Sequence, residues 1–235
     1  MSPDPDRRHE LLRELASIEQ GDLLERLCLL AIAQIPCDGA AVVVTAQGIP
    51  AGVLGSAGEC ARTLTDAEFD LGEGPAFEST RTDRPVHIDH VSTSSTAAWP
   101  VVGALLEQAG ISAISTFPLR LGAIRLGVAH VIRLRPGHLS DEAFATARLL
   151  ADLMTDAVLF LQAGLVNAEF DDLLSAAGQD RLQVHQATGM VAEMLGCPMP
   201  DALARMRARA YAEGIPLFDL ATQIISREVE FSHDD

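Results

Sequence analysis

The sequence predicts an α+β protein, in which an antiparallel sheet with flanking helices precedes a long connecting helix and a small bundle of three helices. Three patterns lead to this fold class. Short β-branched apolar runs bounded by glycine and proline alternate with helical patterns through residues 21–161. A long stretch of helical periodicity without proline follows Ser140. Residues 180–231 then contain three short amphipathic segments separated by glycine and proline.

The composition limits the classes of partner. The 235 residues carry a formal net charge of -16, and all 17 basic residues are arginine. Such an acidic chain is a poor match for non-specific binding to nucleic acid or to a membrane surface, so we expect no DNA or membrane partner. No apolar run approaches the length of a membrane span, and the first residues lack the apolar region of a secretory signal. Both features predict a cytoplasmic protein.

The first third of the chain predicts helices and then a hairpin. A helical pattern runs from Leu11 to Ala31, with a break and restart at Gly21–Asp22. The apolar run Ala40–Thr45 predicts a buried strand, and Gly52–Ser56 predicts its antiparallel partner. The segment Leu71–Pro75 contains two glycines and a proline, which predicts a turn. A phosphate site here is disfavoured, since there is no lysine and the glutamate between the glycines would repel phosphate.

The next segment predicts three more strands and two short helices. Ala76–Thr82 suits one or two helical turns, and Val101–Ala109 suits a helix that Gly110 closes. The predicted strands are Pro85–His87, Ser112–Leu119 and Ala123–Ile132, which brings the sheet to five strands.

A covering segment, residues 91–110, contains the only tryptophan and would lie over any pocket beside the sheet. Trp99 suits a lid over a ligand, but packing in the core explains it equally well. Phe69, Phe77 and Phe117 are the other residues predicted to line this interior, and the sequence identifies no ligand.

Two predicted strands carry histidines that could be drawn as a metal or haem site. His87 and Asp89 share one face of a strand, and His130 belongs to another strand. Without cysteine partners or ligand-spaced repeats, surface or internally bonded histidines are the favoured interpretation. The cysteines are too widely spaced for a disulfide framework or a zinc site. The sequence therefore predicts no metal and no cofactor, and reduced thiols at Cys28, Cys37, Cys60 and Cys197.

Short motifs follow one another along residues 21–161, after a helical extension at 1–20. They are Leu23–Leu24–x–x–Leu27, the strand Ala40–Thr45, Gly72–Glu73–Gly74–Pro75, Arg84–Pro85–Val86, Pro118–Leu119 and Leu126–Gly127–Val128. The order of these motifs and elements resembles a GAF domain. The resemblance implies a sensory domain that holds a small molecule between the sheet and its covering segments, or one that serves only in dimerisation.

A helix without proline is predicted from Ser140 to Gly196, with Ser140 as its N-cap. Within it, apolar residues alternate at spacings of four and three, which favours a coiled-coil seam between two copies of the chain and assigns residues 162–179 to a linker. Gly164 and Gly178 leave an antiparallel fold-back within one chain as the alternative. Asp180 is the one polar member of the predicted seam, which consists of Val166, Phe170, Leu173, Ala177, Asp180, Val184, Ala187, Val191 and Met194.

One motif runs through the three C-terminal helical patterns of residues 180–231. It consists of Arg181, Val184–x–x–Ala187–x–Gly189–Met190–Val191, Ala202, Met206–Arg207, Ala210, Leu217 and Leu220–Ala221. These patterns resemble an ANTAR domain. The resemblance implies RNA binding, usually by a dimer that recognises paired stem-loops and controls transcription termination.

Guanidinium groups and a tyrosine suit the phosphates and stackable bases of an RNA loop, although three arginines on a short helix also suit a solvated face. Arg205 and Arg209 lie one turn apart on one flank of the second helix, and Arg207 lies on the other. The first helix adds polar residues expected outside its apolar stripe. The predicted RNA-binding residues are Arg181, His185, Gln186, Thr188, Arg205, Arg207, Arg209 and Tyr211.

Three functions compete at this stage. The leading one is a GAF–ANTAR regulator that binds RNA as a homodimer and is not an enzyme. The alternative is a regulator whose acidic tail binds a protein partner, since residues 172–235 contain 5 arginines and 10 acidic residues. A reductase of the GAF type is disfavoured, because Cys37 and Cys60 lack a convincing resolving partner and no catalytic motif is present.

Overall fold

The computed structural model describes residues 5–19, 21–46, 49–92, 96–162 and 179–232. Most of these residues belong to one of two units, an N-terminal one within 5–162 and a C-terminal one within 179–232. The helices are α1 (Pro5–Ser17), α2 (Leu23–Gln34), α3 (Glu59–Leu71), α4 (Pro75–Thr82), α5 (Pro100–Gln108), α6 (Asp141–Gln162), α7 (Gln179–Leu195), α8 (Met199–Glu213) and α9 (Leu217–Ile225). The strands are β1 (Gly39–Ala46), β2 (Ile49–Ala57), β3 (Val86–Ile88), β4 (Ala113–Leu121) and β5 (Ile124–Arg133).

The five strands form one antiparallel sheet in the order β2-β1-β5-β4-β3. Strands β1 and β2 pair as a hairpin, and so do β4 and β5. The long pairing of β1 with β5, from Gly39 opposite Ile132 to Val44 opposite Gly127, joins the two hairpins. The predicted α+β class and the five-stranded antiparallel sheet are confirmed.

Each face of the sheet is covered by different helices. Helix α6 packs on β4 and β5 and also contacts α2, which lies on β1 and β2. Helix α4 contacts β2, β3, β4 and β5, and Ala76 of α4 packs with Val43 and Val128. Because successive side chains in a strand point to opposite faces, neighbouring residues of one strand reach different layers.

The predicted break between the first two helices is confirmed. The side chain of Asp22 caps α2 by accepting hydrogen bonds from the backbone N–H groups of Leu24 and Glu25, at 3.0 and 2.9 Å. A capping side chain at this position satisfies donors that the first turn of a helix leaves without partners. Ser140 likewise caps α6, since its Oγ accepts from the N–H of Ala143 at 3.2 Å.

Helix α3 was not predicted, because its buried side is partly polar. Thr65 and Glu68 are buried on the same side as Cys60, Ala61 and Leu64. These two polar residues interrupt the apolar periodicity by which an amphipathic helix is recognised.

The C-terminal unit is the predicted bundle of three helices. Helix α7 packs on both α8 and α9, and α8 also contacts α9. Gly214, in the left-handed region with φ 66°, ends α8, and its N–H bonds to the last-turn carbonyls. The core consists of Val184, Ala187, Val191, Leu195, Ala202, Met206, Ala210, Leu217, Leu220, Ala221 and Ile224.

The predicted coiled-coil seam needs a correction at its C-terminal end. Val184, Ala187 and Val191 are buried in the single-chain bundle, so they cannot form a seam with a second copy while that bundle is intact. The same spacing serves both kinds of packing, which is why the sequence did not separate them. Most of the linker, residues 163–178, lies outside the described residues. Among the residues that the structure describes, no helix is long and apolar enough to cross a membrane.

Candidate functional site

Helix α8 places the predicted arginines around a buried stripe. Ala202, Met206 and Ala210 recur at four-residue spacing and are buried, which fixes the side of the helix that faces the bundle. Arg205 is exposed, and Tyr211 is 63% exposed near the end of the helix. The third arginine of the set, Arg207, is partly buried.

The side chain of Arg209 contacts other groups of the C-terminal unit. Its Nε donates to Oε1 of Glu213 at 2.8 Å, and its Nη1 donates to the backbone carbonyl of Glu230 at 3.0 Å. Its guanidinium carbon also lies 5.0 Å from the ring centroid of Phe231. This geometry is a cation–π contact with the segment that follows α9.

The residues predicted on α7 fall into different environments. His185 and Gln186 are exposed, as expected for an RNA contact. The prediction that Thr188 lies outside the apolar stripe is wrong, because Thr188 is buried and its Oγ1 donates to the carbonyl of Val184 at 2.6 Å. Thr188 follows Val184 by four residues and so shares its face. The backbone of Arg181 belongs to α7, but its side chain lies outside the described part of the structure.

In the N-terminal unit, Trp99 is buried and precedes helix α5. Its Nε1 donates to Oε2 of Glu78 at 2.8 Å. The carboxylate of Glu73 caps α5, since Oε1 accepts from the N–H groups of Val101 and Val102 at 2.9 and 3.1 Å. The segment predicted only as a turn therefore supplies the N-terminal cap of another helix. Sequence reasoning could not find this contact, because a cap is ordinarily sought immediately before its helix.

A buried polar chain joins the sheet to α3 and α4. Oγ1 of Thr116 lies 2.9 Å from Nδ1 of His130, and Nε2 of His130 lies 3.2 Å from Oε2 of Glu68. Oε1 of Glu68 accepts from the N–H of Ala76 at 2.6 Å, at the start of α4. Nε2 of His130 and Oε2 of Glu68 are close enough for an ion pair, but neither atom makes a well-aligned hydrogen bond within the described residues.

The prediction that Phe117 shares one interior with Trp99 is wrong. Phe117 lies on the face of the sheet covered by α6, where its ring centroid is 5.6 Å from that of Phe144. The adjacent Thr116 points to the opposite face and contacts His130. Strand alternation therefore separates Phe117 from the layer that holds α4 and Glu78. Phe69 and Phe77 are partly buried.

The histidines that suggested a metal site lie on opposite faces of the sheet. The ring of His87 packs edge-on against Phe117 and Phe144, with centroids 5.4 and 5.1 Å apart. Burial lowers the pKa of His87 below its ordinary value of 6.5, and the nearby Asp89 carboxylate opposes that shift. Within the described ranges, no group of three or more His, Cys, Asp or Glu residues could hold a metal ion.

Three cysteines of the N-terminal unit are buried thiols. Desolvation is the largest cause of the raised pKa at all three, and neighbouring acidic groups add to it. The pKa of Cys37 rises to about 12, and those of Cys28 and Cys60 also lie above the ordinary value. A thiol is a nucleophile only as the thiolate, so these environments disfavour thiol chemistry.

Residues 172–225 match the family model of the ANTAR domain. No curated protein sequence matches the chain. Among solved structures, the chain is similar to the GAF domain from an Acinetobacter phosphoenolpyruvate-protein phosphotransferase, with 13% identity and a TM-score of 0.51. That match covers 67% of this chain and 94% of the Acinetobacter chain.

Two further GAF structures are similar at lower scores. The GAF domain from a Coxiella burnetii phosphoenolpyruvate-protein phosphotransferase is 11% identical with a TM-score of 0.49, covering 68% of this chain and 95% of that one. The GAF region of a putative membrane protein from Geobacter sulfurreducens is 16% identical with a TM-score of 0.46, covering 66% and 99%. The Acinetobacter likeness shows the fold alone. The chain therefore joins an N-terminal region with the fold of a GAF domain to a C-terminal region, residues 172–225, that matches the ANTAR model.

Proposed function

We propose that the protein is a cytoplasmic, non-enzymatic regulator that binds RNA stem-loops through its ANTAR domain and controls transcription termination as a homodimer. The GAF-fold region gates this activity through a small-molecule ligand or a rearrangement of the dimer. The observation that carries the proposal is the match of residues 172–225 to the ANTAR family, whose resemblance implies RNA binding.

The exposed chemistry of the bundle supports an RNA partner. Arg205 and Tyr211 of α8 and His185 and Gln186 of α7 are exposed polar or aromatic side chains. A guanidinium group binds phosphate oxygens in a fork geometry, and tyrosine provides a surface on which an unpaired base can stack. The two helices that carry these residues pack on each other.

The charge balance of the tail sets the expected strength of binding. Residues 172–235 contain 5 arginines and 10 acidic residues, so few phosphates can be neutralised. The affinity should therefore come mainly from specific contacts with a folded stem-loop. Each arginine–phosphate contact that is removed should reduce the slope of log affinity against log salt concentration by about 0.7 to 0.9.

A titration with RNA tests the proposal directly. The full chain would be titrated against a paired stem-loop and a scrambled control at low and physiological salt. We expect selective binding of the stem-loop. Arg205→Ala should weaken it about tenfold, because this substitution removes a charged hydrogen-bond donor for a phosphate or a base edge. Arg62→Ala, which removes an exposed arginine of the N-terminal unit, is the matched control and should leave the affinity unchanged. Equal binding of both RNAs, or equal effects of the two substitutions, would contradict the proposal.

The dimer requires a separate measurement. Its support is the heptad-like spacing of Val166, Phe170, Leu173 and Ala177, together with the 51% exposure of Phe160 near the end of α6. Sedimentation at micromolar concentration should give the mass of two chains. A strict monomer would contradict the dimer and leave the RNA test unaffected.

A protein partner is the second candidate, and the acidity of the tail favours it. No binding to RNA by a demonstrated dimer at low salt would move the proposal to this class. The raised thiol pKa values argue against a third candidate, a cysteine-based reductase.

A further inference from the structure

The segment after α9 turns back towards α8. Helix α9 closes at Ser226, and Arg227 adopts the left-handed region with φ 61°. The N–H groups of Glu228 and Val229 then bond to the carbonyl of Gln223, which completes the reversal of the chain. We call residues 228–232 the C-terminal strap.

The strap holds Arg209 at two places. The carbonyl of Glu230 accepts from Nη1 of Arg209 at 3.0 Å, and the ring of Phe231 lies 5.0 Å from the guanidinium carbon. Phe231 is only 6% exposed, so its ring is packed rather than spread on the surface. The carboxylate of Glu213 accepts a hydrogen bond from Nε of the same guanidinium.

These contacts occupy the two surfaces by which an arginine recognises RNA. The N–H edge of a guanidinium binds phosphate oxygens or base edges, and its flat face stacks on aromatic rings or bases. In Arg209, the carbonyl of Glu230 and the carboxylate of Glu213 take the edge, while the ring of Phe231 covers the face. RNA can use Arg209 fully only if it displaces these groups.

The charge of the strap acts in the same direction. Glu228 and Glu230 both belong to the strap and are exposed. Glu230 is also the residue whose backbone carbonyl accepts from Arg209. Carboxylates close to a phosphate-binding arginine repel the RNA backbone and weaken the attraction that steers RNA to the site.

We propose that the C-terminal strap is an autoinhibitory element that competes with RNA for Arg209. The inference rests on the proposed RNA-binding function and assigns a regulatory device to that same site. With the strap docked, the domain binds RNA through Arg205 and its exposed neighbours. Release of the strap adds Arg209 to the interface, so a partner that captures Phe231 would strengthen RNA binding.

The test measures the affinity of the full chain for the paired stem-loop and for the scrambled control. Phe231→Ala removes the ring that covers Arg209, and Phe231→Leu removes the aromatic face while it keeps an apolar side chain. Phe218→Ala, which removes a partly buried ring from α9, is the matched control. Circular dichroism melts establish that each variant is folded, and Phe231→Leu replaces Phe231→Ala if the latter does not fold.

We expect Phe231→Ala to bind the stem-loop about fivefold to tenfold more tightly than the unchanged chain, since RNA no longer competes with a cation–π contact and a packed ring. The gain should disappear in Phe231→Ala/Arg209→Ala, which should bind like Arg209→Ala alone. Binding by Phe231→Ala when the unchanged chain does not bind would support the strap even more strongly.

Three results overturn the inference, and they can be told apart. If the unchanged chain binds the stem-loop and Phe231→Ala binds equally or more weakly, the strap is not inhibitory and the proposed function stands. If neither the unchanged chain nor a folded Phe231 variant binds at low salt, the RNA-binding function and the strap's role fail together. A gain that persists without Arg209 also refutes the competition.

Discussion

Substitution of Glu68 offers a quantitative test of the N-terminal unit. Its carboxylate is buried, 3.2 Å from Nε2 of His130, and accepts the N–H of Ala76 at 2.6 Å. Glu68→Ala removes the carboxylate beside His130 and leaves the buried N–H of Ala76 without its acceptor. A buried polar group that is left without its partner costs about 1–3 kcal/mol in the free energy of unfolding.

Trp99 makes the measurement specific to this unit. It is the only tryptophan in the chain and is 2% exposed, so its fluorescence reports unfolding around α5. Urea denaturation should show a lower midpoint for Glu68→Ala at unchanged slope, and a thermal scan should show a melting temperature about 2–12 °C lower. Glu107→Ala, which removes an exposed glutamate of α5, is the control and should change stability by less than about 0.5 kcal/mol.

Two outcomes would refute the reasoning. The first is a loss below about 1 kcal/mol for Glu68→Ala, within the range of ordinary neutral hydrogen bonds, which would mean that the pair contributes little. The second is strict additivity of Glu68→Ala and His130→Ala in the double variant. Residues in one buried network should be coupled, because either single change already leaves the other side chain without its partner.

Two further predictions follow from the ionisable groups. Ellman's reagent should modify the partly exposed Cys197 well before the other three cysteines, because burial raises the pKa of the thiols of Cys28, Cys37 and Cys60. Rapid reaction of more than one thiol in the folded protein would contradict this prediction. An NMR titration should place the pKa of His87 below 6.5, since burial disfavours its charged form. Because folding lowers the pKa of His87, the folded state is most stable with respect to this group above pH 6.5. That stability is lost as the pH falls from 6.5 towards the pKa of His87 in the folded protein. A measured pKa at or above 6.5 would refute this prediction.

The sequence predicted the architecture well where local patterns carry the information. Each strand of the sheet overlaps a segment that the sequence predicted as a strand, and glycine or proline ends α2, α5, α7 and α8 as expected. The restart at Asp22 is a local signal too, since a cap and the helix that it begins are adjacent in sequence. These predictions depend on a few neighbouring residues, which is why one sequence was enough.

The features that the sequence did not predict, or predicted wrongly, have a different cause. Glu68 and Glu73 bind groups that only the folded chain brings near them, so their roles leave no local pattern. Helix α3 escaped prediction because it buries Glu68 for that distant contact. Thr188 was assigned by polarity to the outside, although its hydroxyl is satisfied within its own helix and needs no solvent.

Three glutamates within one short segment, Glu68, Glu73 and Glu78, accept hydrogen bonds, and their positions affect the order in which the protein folds. Glu78 and Glu73 bind groups 21 and 28 residues further along the chain, and Glu68 contacts His130 of the last strand to be synthesised. None of these contacts can form before the later elements are in place, so the entropy of closing these loops must be overcome first. We expect the segment to dock after the rate-limiting step, so that Glu68→Ala accelerates unfolding and leaves the refolding rate nearly unchanged.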